Sequence, residues 1–188
     1  MMTEREKMIR GELYNPADSE ITMLRQKAHR ICTQFNQTFE TDEATRCALL
    51  RELMGKNFDE EEHYFQGPIF FDYGLNIFIG KNFYANFNTT ILDICPVTIG
   101  DNVMLGTGVS LLTPVHPLKY KERLTGLEYG KPIIIEDNCW LASNVTVIGG
   151  VTIGAGSVIG AGSVVTKDIP PNSFAAGNPC KVIKEINN

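Results

Sequence analysis

The most regular feature of the chain is a six-residue spacing of branched aliphatic residues in its second half. Eight positions lie on one grid: Ile99, Leu105, Ile135, Leu141, Val147, Ile153, Ile159 and Val165. Most of them are followed by a small or polar residue, and the residue two positions earlier is small or apolar in every case. This period is typical of a hexapeptide β-helix, in which each repeat supplies one short strand and one turn. Because no single coil buries its own apolar face, we expect the coils to stack on one continuous core.

Two departures from the grid predict inserted segments. Upstream, Tyr73, Ile79 and Ala85 keep the spacing but are out of phase with the later grid by two residues, which predicts an insertion between residues 86 and 97. Downstream, Leu111 and Ile135 are 24 residues apart where six would continue the pattern, so 18 residues leave the coil and return in phase. We therefore predict a long excursion loop over residues 112–131. Structureless loops of this length are usually functional.

The first 57 residues show helical periodicity instead. Thr3 and Glu6 have the spacing of a capping box, and the break at residues 15–18 allows Asp18 or Ser19 to cap a second helix. A third helix fits residues 42–54 and ends at Gly55. The expected fold is therefore mainly β, with a helical segment over residues 1–57 and a parallel β-helix over residues 58–188.

Composition excludes several classes of protein. The 188 residues carry a formal charge of −5, whereas general nucleic-acid binders normally have a basic excess. No apolar run approaches the roughly 20 residues that span a bilayer, and the acidic start lacks the features of a secretory signal. The five scattered cysteines include no CxxC pair, which favours reduced thiols in the cytoplasm.

The excursion loop supplies a candidate general base. His116 lies in this loop, and the chain has only three histidines. An imidazole with a pKa near 6.5 is suited to removing a proton from a weakly nucleophilic hydroxyl, a role that contributes roughly 10²–10⁴-fold to rate. The alternative for His116 is a solvated loop histidine. For His63, at the junction before the β-helix, we keep this alternative of a histidine without a catalytic role.

Several motifs together resemble the maltose and galactoside O-acetyltransferases. They are Gly11-Glu12-Leu13-Tyr14, Asn82-Phe83-Tyr84-Ala85-Asn86-Phe87-Asn88, Leu92-Asp93, Ile99-Gly100-Asp101-Asn102-Val103, His116-Pro117 and Thr166-Lys167-Asp168-Ile169-Pro170. The resemblance covers nearly the whole chain. It implies a left-handed parallel β-helix, a homotrimer with sites between subunits, and transfer of acetyl from acetyl-CoA to a sugar hydroxyl with His116 as general base. No metal is implied.

The resemblance also implies residues for the acceptor side of the site. Asn86 matches an asparagine that contacts the reacting groups, and an oxyanion needs such a donor. Asp93 is a candidate for holding sugar hydroxyls, since an ionised carboxylate accepts several hydrogen bonds. Asp72 and Glu128 stand where the galactoside enzymes have serine and methionine, which favours a maltose or glucose acceptor. Glu128 could orient His116, bind the acceptor, or be a solvated loop residue.

Basic residues near the end of the chain are candidates for binding the phosphates of CoA. Residues 161–188 carry Lys167, Lys181 and Lys184 and a local charge of +1, while residues 1–160 sum to −6. Lys181 and Lys184 stand where the family has arginines, and lysine also binds phosphate as a point charge. The resemblance adds Thr166 to this set. Small residues at Ser143 and Ala161 would let the pantetheine arm lie against the coil.

Three other functions fit parts of the pattern. A γ-type carbonic anhydrase shares the β-helix, but the three histidines fall in a helix, a junction and a loop, which disfavours a zinc site. A non-catalytic β-helix scaffold would need neither a looped His116 nor a basic C-terminal region. An acetyltransferase for a non-sugar acceptor, such as an antibiotic, stays open because the sequence does not name the acceptor.

Overall fold

The repeating part of the chain winds through three parallel sheets, which form the faces of a three-sided prism of about six coils. The computed structural model describes residues 2–187. Strands and helices are numbered in chain order. Face 1 contains β1 (His63–Phe65), β4 (Phe83–Ala85), β7 (Met104–Leu105), β12 (Trp140–Leu141), β15 (Val158–Ile159), β17 (Ser173–Gly177) and the antiparallel β18 (Cys180–Glu185). Face 2 contains β2 (Ile69–Phe71), β5 (Thr89–Leu92), β8 (Ser110–Leu112), β13 (Thr146–Ile148) and β16 (Val164–Val165). Face 3 contains β3 (Ile77–Ile79), β6 (Val97–Ile99), β11 (Ile133–Ile135) and β14 (Thr152–Ile153).

The core of the prism is built from the six-residue grid. All eight grid residues are buried, with at most 2% of their surface exposed, and each stacks on its counterpart in at least one adjacent coil. Branched aliphatic side chains fill this narrow interior because both adjacent coils close over them. The predicted left-handed parallel β-helix is confirmed.

Every change in coil length occurs at one corner of the prism, the one between faces 2 and 3, which we call corner 2/3. Steps between successive interior residues at the other two corners are all six residues, from Phe65 to Ala175. At corner 2/3 the interior residues are Phe71 and Ile79, Ile91 and Ile99, Leu111 and Ile135, Val147 and Ile153, and Val165 and Ile169. The first two steps are therefore eight residues long, the third is 24, the fourth is six and the last is four.

These steps correct the predicted phase of the first coils. Ile79 and Ala85 are the last residues of β3 and β4 and face the interior, as expected. Tyr73 does not: it lies in the turn after β2, and Phe71 is the interior residue. Two insertions of two residues are present where one was predicted. Tyr73 is buried in a separate apolar cluster with Met8, Tyr14, Ile21 and Ile94. Its position in the sequence pattern therefore looks the same as that of a residue in the prism core.

The excursion loop leaves from β8 and returns to β11 in phase, as predicted. Two short strands, β9 (Pro114–Val115) and β10 (Tyr129–Gly130), pair antiparallel at its base, and α4 (Tyr120–Arg123) lies near its tip. The phase is retained because β8 still pairs with β13 and β6 with β11, so the loop is external to the prism.

Three helices precede the prism: α1 (Glu4–Ile9), α2 (Ser19–Asn36) and α3 (Glu43–Met54). Thr3 and Glu6 form the predicted capping box, and Asp18 and Asp42 cap α2 and α3. A single-turn 3₁₀ helix (Gly55–Asn57) leads from α3 towards the prism.

The helices satisfy backbone groups that the first coil would otherwise leave unpaired. Asn36 on α2 donates from Nδ2 to the carbonyl of Ile69 (2.9 Å) and accepts from its amide (2.7 Å). Arg46 on α3 donates to the carbonyls of Phe65 and Gln66, at 2.8 and 2.9 Å. An open sheet edge invites pairing with another chain, so the helical segment closes the end of the prism.

Candidate active site

The loop base brings three of the predicted site residues to corner 2/3. Nε2 of His116 lies 3.5 Å from Oε2 of Glu128, across the hairpin formed by β9 and β10. The His116 side chain is 57% exposed, while that of Glu128 is 15% exposed. Asp72 follows β2 at the same corner and is close enough to Glu128 for the two carboxylates to repel each other. The structure thus gathers one imidazole and two shielded carboxylates.

Asp72 has a second histidine beside it. Nε2 of His29, on α2, lies 3.5 Å from Oδ1 of Asp72. Burial raises the pKa of Asp72, and the adjacent His29 opposes that shift. A groove of about 350 Å³ runs beside this pair, between α2 and the outer side of β2, with Phe70 and Leu92 in its wall. Nothing in the helical periodicity of α2 distinguishes His29 from other exposed positions, so the sequence did not reveal this pairing.

Asp93 does not lie in this group, and the expectation that it binds sugar hydroxyls is wrong for this structure. Its side chain is completely buried, and its oxygens accept the amide hydrogens of Tyr73 (2.8 Å) and Asn76 (3.1 Å) in the preceding coil. Burial raises the pKa of Asp93 to about 7, although these amides and that of Gly74 oppose the shift. Asp93 therefore holds two turns of corner 2/3 together and is closed to a ligand.

Asn86 lies at a different corner, between faces 1 and 2, which we call corner 1/2. It follows β4 and precedes β5, and its Oδ1 accepts from the amide of Phe87 at 2.7 Å. Within residues 2–187 no hydrogen bond uses Nδ2 of Asn86, so both of its donors are available. Because face 2 separates the two corners, Asn86 and His116 do not meet within one chain.

The six residues predicted to bind CoA are divided in the same way. Ser143 and Ala161 lie at corner 1/2, in the coils beyond Asn86. Thr166 and Lys167 lie at corner 2/3, after β16. Lys181 and Lys184 lie on β18 and are exposed, with Lys181 opposite Ala176 at the last turn of corner 1/2. The basic side chains therefore occur at the end of the prism furthest from the helices.

His63 is buried and supports the backbone on both sides of β1, which the sequence did not predict. It is 8% exposed, its Nδ1 accepts from the amide of Asp59 at 3.1 Å, and its Nε2 is 2.9 Å from the carbonyl of Gly80. Among residues 2–187 no three side chains of the metal-binding types converge. Over the same residues, no helix combines the length and apolar character required to cross a bilayer.

Comparison with family models supports both parts of the architecture. Residues 7–56 match the maltose acetyltransferase hexapeptide capping motif, and residues 132–167 match six bacterial transferase hexapeptide repeats. Residues 88–113 match the hexapeptide repeat of succinyl-transferase. The helical segment that closes the prism thus matches a motif that is described as capping hexapeptide repeats.

Full-length relatives give the same result. The galactoside O-acetyltransferase of Escherichia coli K12 is 44% identical, covering 99% of this chain and 90% of that protein. The crystal structure of a maltose O-acetyltransferase from Clostridium difficile 630 superposes with a TM-score of 0.94 at 45% identity, covering 100% and 99% of the two chains. A hexapeptide-repeat acetyltransferase from Vibrio cholerae, solved with acetyl coenzyme A, has a TM-score of 0.87 at 39% identity over the whole of both chains. The chain is therefore an acetyltransferase and belongs to the maltose and galactoside O-acetyltransferase family.

Proposed function

We propose that this protein transfers the acetyl group of acetyl-CoA directly to a sugar hydroxyl, with His116 as general base. The observation that carries the proposal is the exposed imidazole of His116 beside a shielded carboxylate, at the base of a loop on a rigid β-helix. Structures of relatives with acetyl coenzyme A support the donor. Five cysteines without disulfides favour a reducing compartment, which is where we place the reaction.

In this mechanism, His116 accepts the proton of the acceptor hydroxyl while the hydroxyl oxygen bonds to the acetyl carbonyl carbon. Glu128 stabilises the imidazolium that results, since 3.5 Å is an ion-pair distance and exceeds that of a normal hydrogen bond. Nδ2 of Asn86 donates to the oxyanion of the tetrahedral intermediate. When the carbon–sulfur bond breaks, the imidazolium returns the proton to the departing thiolate, and CoA leaves as the thiol.

The separation of Asn86 from His116 supports a homotrimer. A prism with flat faces lacks a deep pocket, whereas ligand sites usually enclose most of the ligand. In a ring of three chains, corner 2/3 of one chain would meet corner 1/2 of the next and unite the two halves of the site. Because the ring closes, one type of interface is repeated three times and gives three equivalent sites.

The acceptor we favour is a maltose- or glucose-type sugar. Glu128 lies beside His116, Asp72 lies near Glu128, and carboxylates accept hydrogen bonds from several sugar hydroxyls. A second candidate is a non-sugar acceptor, which the apolar wall of the groove beside Asp72 could accommodate.

An acceptor panel tests this proposal. The purified protein and acetyl-CoA are incubated with maltose, glucose, a galactoside, chloramphenicol or serine, and release of free thiol is measured. We expect maltose or glucose to give the highest kcat/KM. Faster turnover of chloramphenicol would favour the second candidate, and thiol release no faster than without acceptor for the whole panel would count against direct transfer to these hydroxyls.

A further inference from the structure

The segment before α2 is hydrogen-bonded to the part of the excursion loop that leads into β10. Tyr14 and Glu128 form an antiparallel bridge, in which each amide donates to the other's carbonyl at 3.0 and 3.3 Å. Packing at this contact leaves no spare room: a Cβ on Gly11 would lie 2.6 Å from the carbonyl oxygen of Gly130. A Cβ on Gly130 would lie 2.5 Å from Sγ of Cys95. The N-terminal segment therefore fixes the backbone that carries Glu128.

The side chain of Tyr14 makes a second contact with the same residue. Its ring is fully buried, and its hydroxyl donates a hydrogen bond to Oε1 of Glu128. Burial raises the pKa of Tyr14 and the hydrogen bond to Glu128 adds to the shift, so the hydroxyl keeps its proton and remains a donor. With Oε1 held in this way, Oε2 is the oxygen that faces His116.

We propose that Tyr14 is a positioning residue for the acetyl transfer: it holds Glu128, and Glu128 holds the imidazole of His116 in its reactive place. This inference rests on the proposed function, since it presupposes that His116 is the base. Within residues 2–187 the carboxylate of Glu128 is the polar partner of the His116 side chain. An exposed side chain with so little support depends on that partner for its orientation.

Orientation of this kind has a large effect on rate. Displacing a catalytic group by about 1 Å can cost about 10²-fold. Loss of the Tyr14 hydroxyl should lower the rate by less than this, because Glu128 keeps its backbone bridge to Tyr14. The structure therefore assigns the N-terminal segment two roles, closing the prism and orienting the base.

Tyr14→Phe tests the proposal, because it removes the hydroxyl and keeps the buried ring. We expect kcat to fall about 5- to 30-fold with the best acceptor of the panel, while KM for acetyl-CoA stays within twofold. Tyr73→Phe is the matched control, since Tyr73 is buried in the same cluster but its hydroxyl contacts Arg25 at 3.4 Å. It should keep its kcat within twofold of wild type.

Combined variants separate positioning from a loss of folding. In the His116→Ala background, Tyr14→Phe should cause no further loss of kcat, because there is no imidazole left to position. A merely structural role would lower kcat again by the same factor. Wild-type kcat in Tyr14→Phe would also overturn the proposal.

The same experiment distinguishes failure of this inference from failure of the proposed function. If His116→Ala is impaired and Tyr14→Phe is not, only the role of Tyr14 is lost. If His116→Ala turns over like wild type, the general base itself is wrong and the positioning inference falls with it.

Discussion

His116 and Asn86 lie at opposite edges of one face of the prism, separated by the strands of face 2. Strands rise about 3.3 Å per residue, so even the three-residue β8 keeps the two corners roughly 10 Å apart. Within one chain the two side chains therefore lie too far apart to contact the same acetyl group.

Mixed assemblies should therefore recover activity from two inactive chains. His116→Ala and Asn86→Ala are each expected to be inactive, whereas co-refolded mixtures should regain part of the wild-type rate. Recovery follows because some interfaces in a mixed trimer receive an intact His116 from one chain and an intact Asn86 from its neighbour. The rate is compared with that of each variant refolded alone. A mixed trimer without activity, or a monomer in sedimentation at micromolar concentration, would contradict the shared site.

Loss of the His116 imidazole should lower turnover without weakening CoA binding. We expect His116→Ala to reduce kcat by at least about 10²-fold, the low end of a general-base contribution. The affinity for CoA, measured by calorimetry, should stay within twofold of wild type. His63→Ala is not a suitable control because His63 supports the backbone of Gly80, so exposed His29→Ala serves for comparison of CoA binding. Near-wild-type turnover in His116→Ala would contradict the role of the base.

The exposed lysines of β18 should contribute to binding acetyl-CoA through its phosphates. Exposed ion pairs are worth about 0.2–1 kcal/mol, so Lys181→Gln and Lys184→Gln should each raise KM for acetyl-CoA by up to about fivefold. The double variant should also show a weaker dependence of KM on salt concentration. Lys27→Gln combined with Lys56→Gln removes the same charge from the helical segment and is the matched control. Equal ratios of CoA to dephospho-CoA affinity in wild type and the β18 variant would exclude these lysines from the 3′-phosphate site.

Asp93 should make the stability of the fold depend on pH. An acid whose pKa rises from 3.8 to about 7 on folding binds its proton more tightly in the folded chain. Its contribution to the free energy of unfolding is therefore fully present below about pH 3.8 and is lost as the pH rises through about 7. Asp93→Asn removes this dependence and also leaves a backbone amide without its acceptor, at a cost of about 1–3 kcal/mol.

Denaturant titrations between pH 4 and 8 measure this effect. The difference in unfolding free energy between wild type and Asp93→Asn should shrink as the pH rises. Asp168→Asn is the control, since Asp168 also accepts a backbone amide, that of Thr152 at 2.8 Å, but is exposed. A difference that grows with pH would show that Asp93 is ionised in the folded protein.

The coils and the loop could be predicted because each hexapeptide repeats the same burial, so its pattern is local in the sequence. The role of Asp93 could not, because the amides that it binds belong to Tyr73 and Asn76, 20 and 17 residues away in the preceding coil. The Tyr14–Glu128 contact joins positions 114 residues apart, and the local sequence around either residue does not indicate the other. Tyr73 led to a wrong phase for the first coil, because an apolar residue that is buried outside the prism core has the same sequence signature as one inside it.

The concentration of length changes at corner 2/3 has a consequence for how such a protein can diversify. The proposed acceptor-side residues belong to the first three coils, where this corner is lengthened, and the proposed CoA-binding residues belong to the later coils, where it is six residues or fewer. Extra residues at the corner lie outside the prism, so neighbouring strands keep their pairing whatever is added there. Changes in length at corner 2/3 of the first three coils can thus alter the proposed acceptor side of the site, while the later coils, with the proposed CoA-binding residues, stay unchanged.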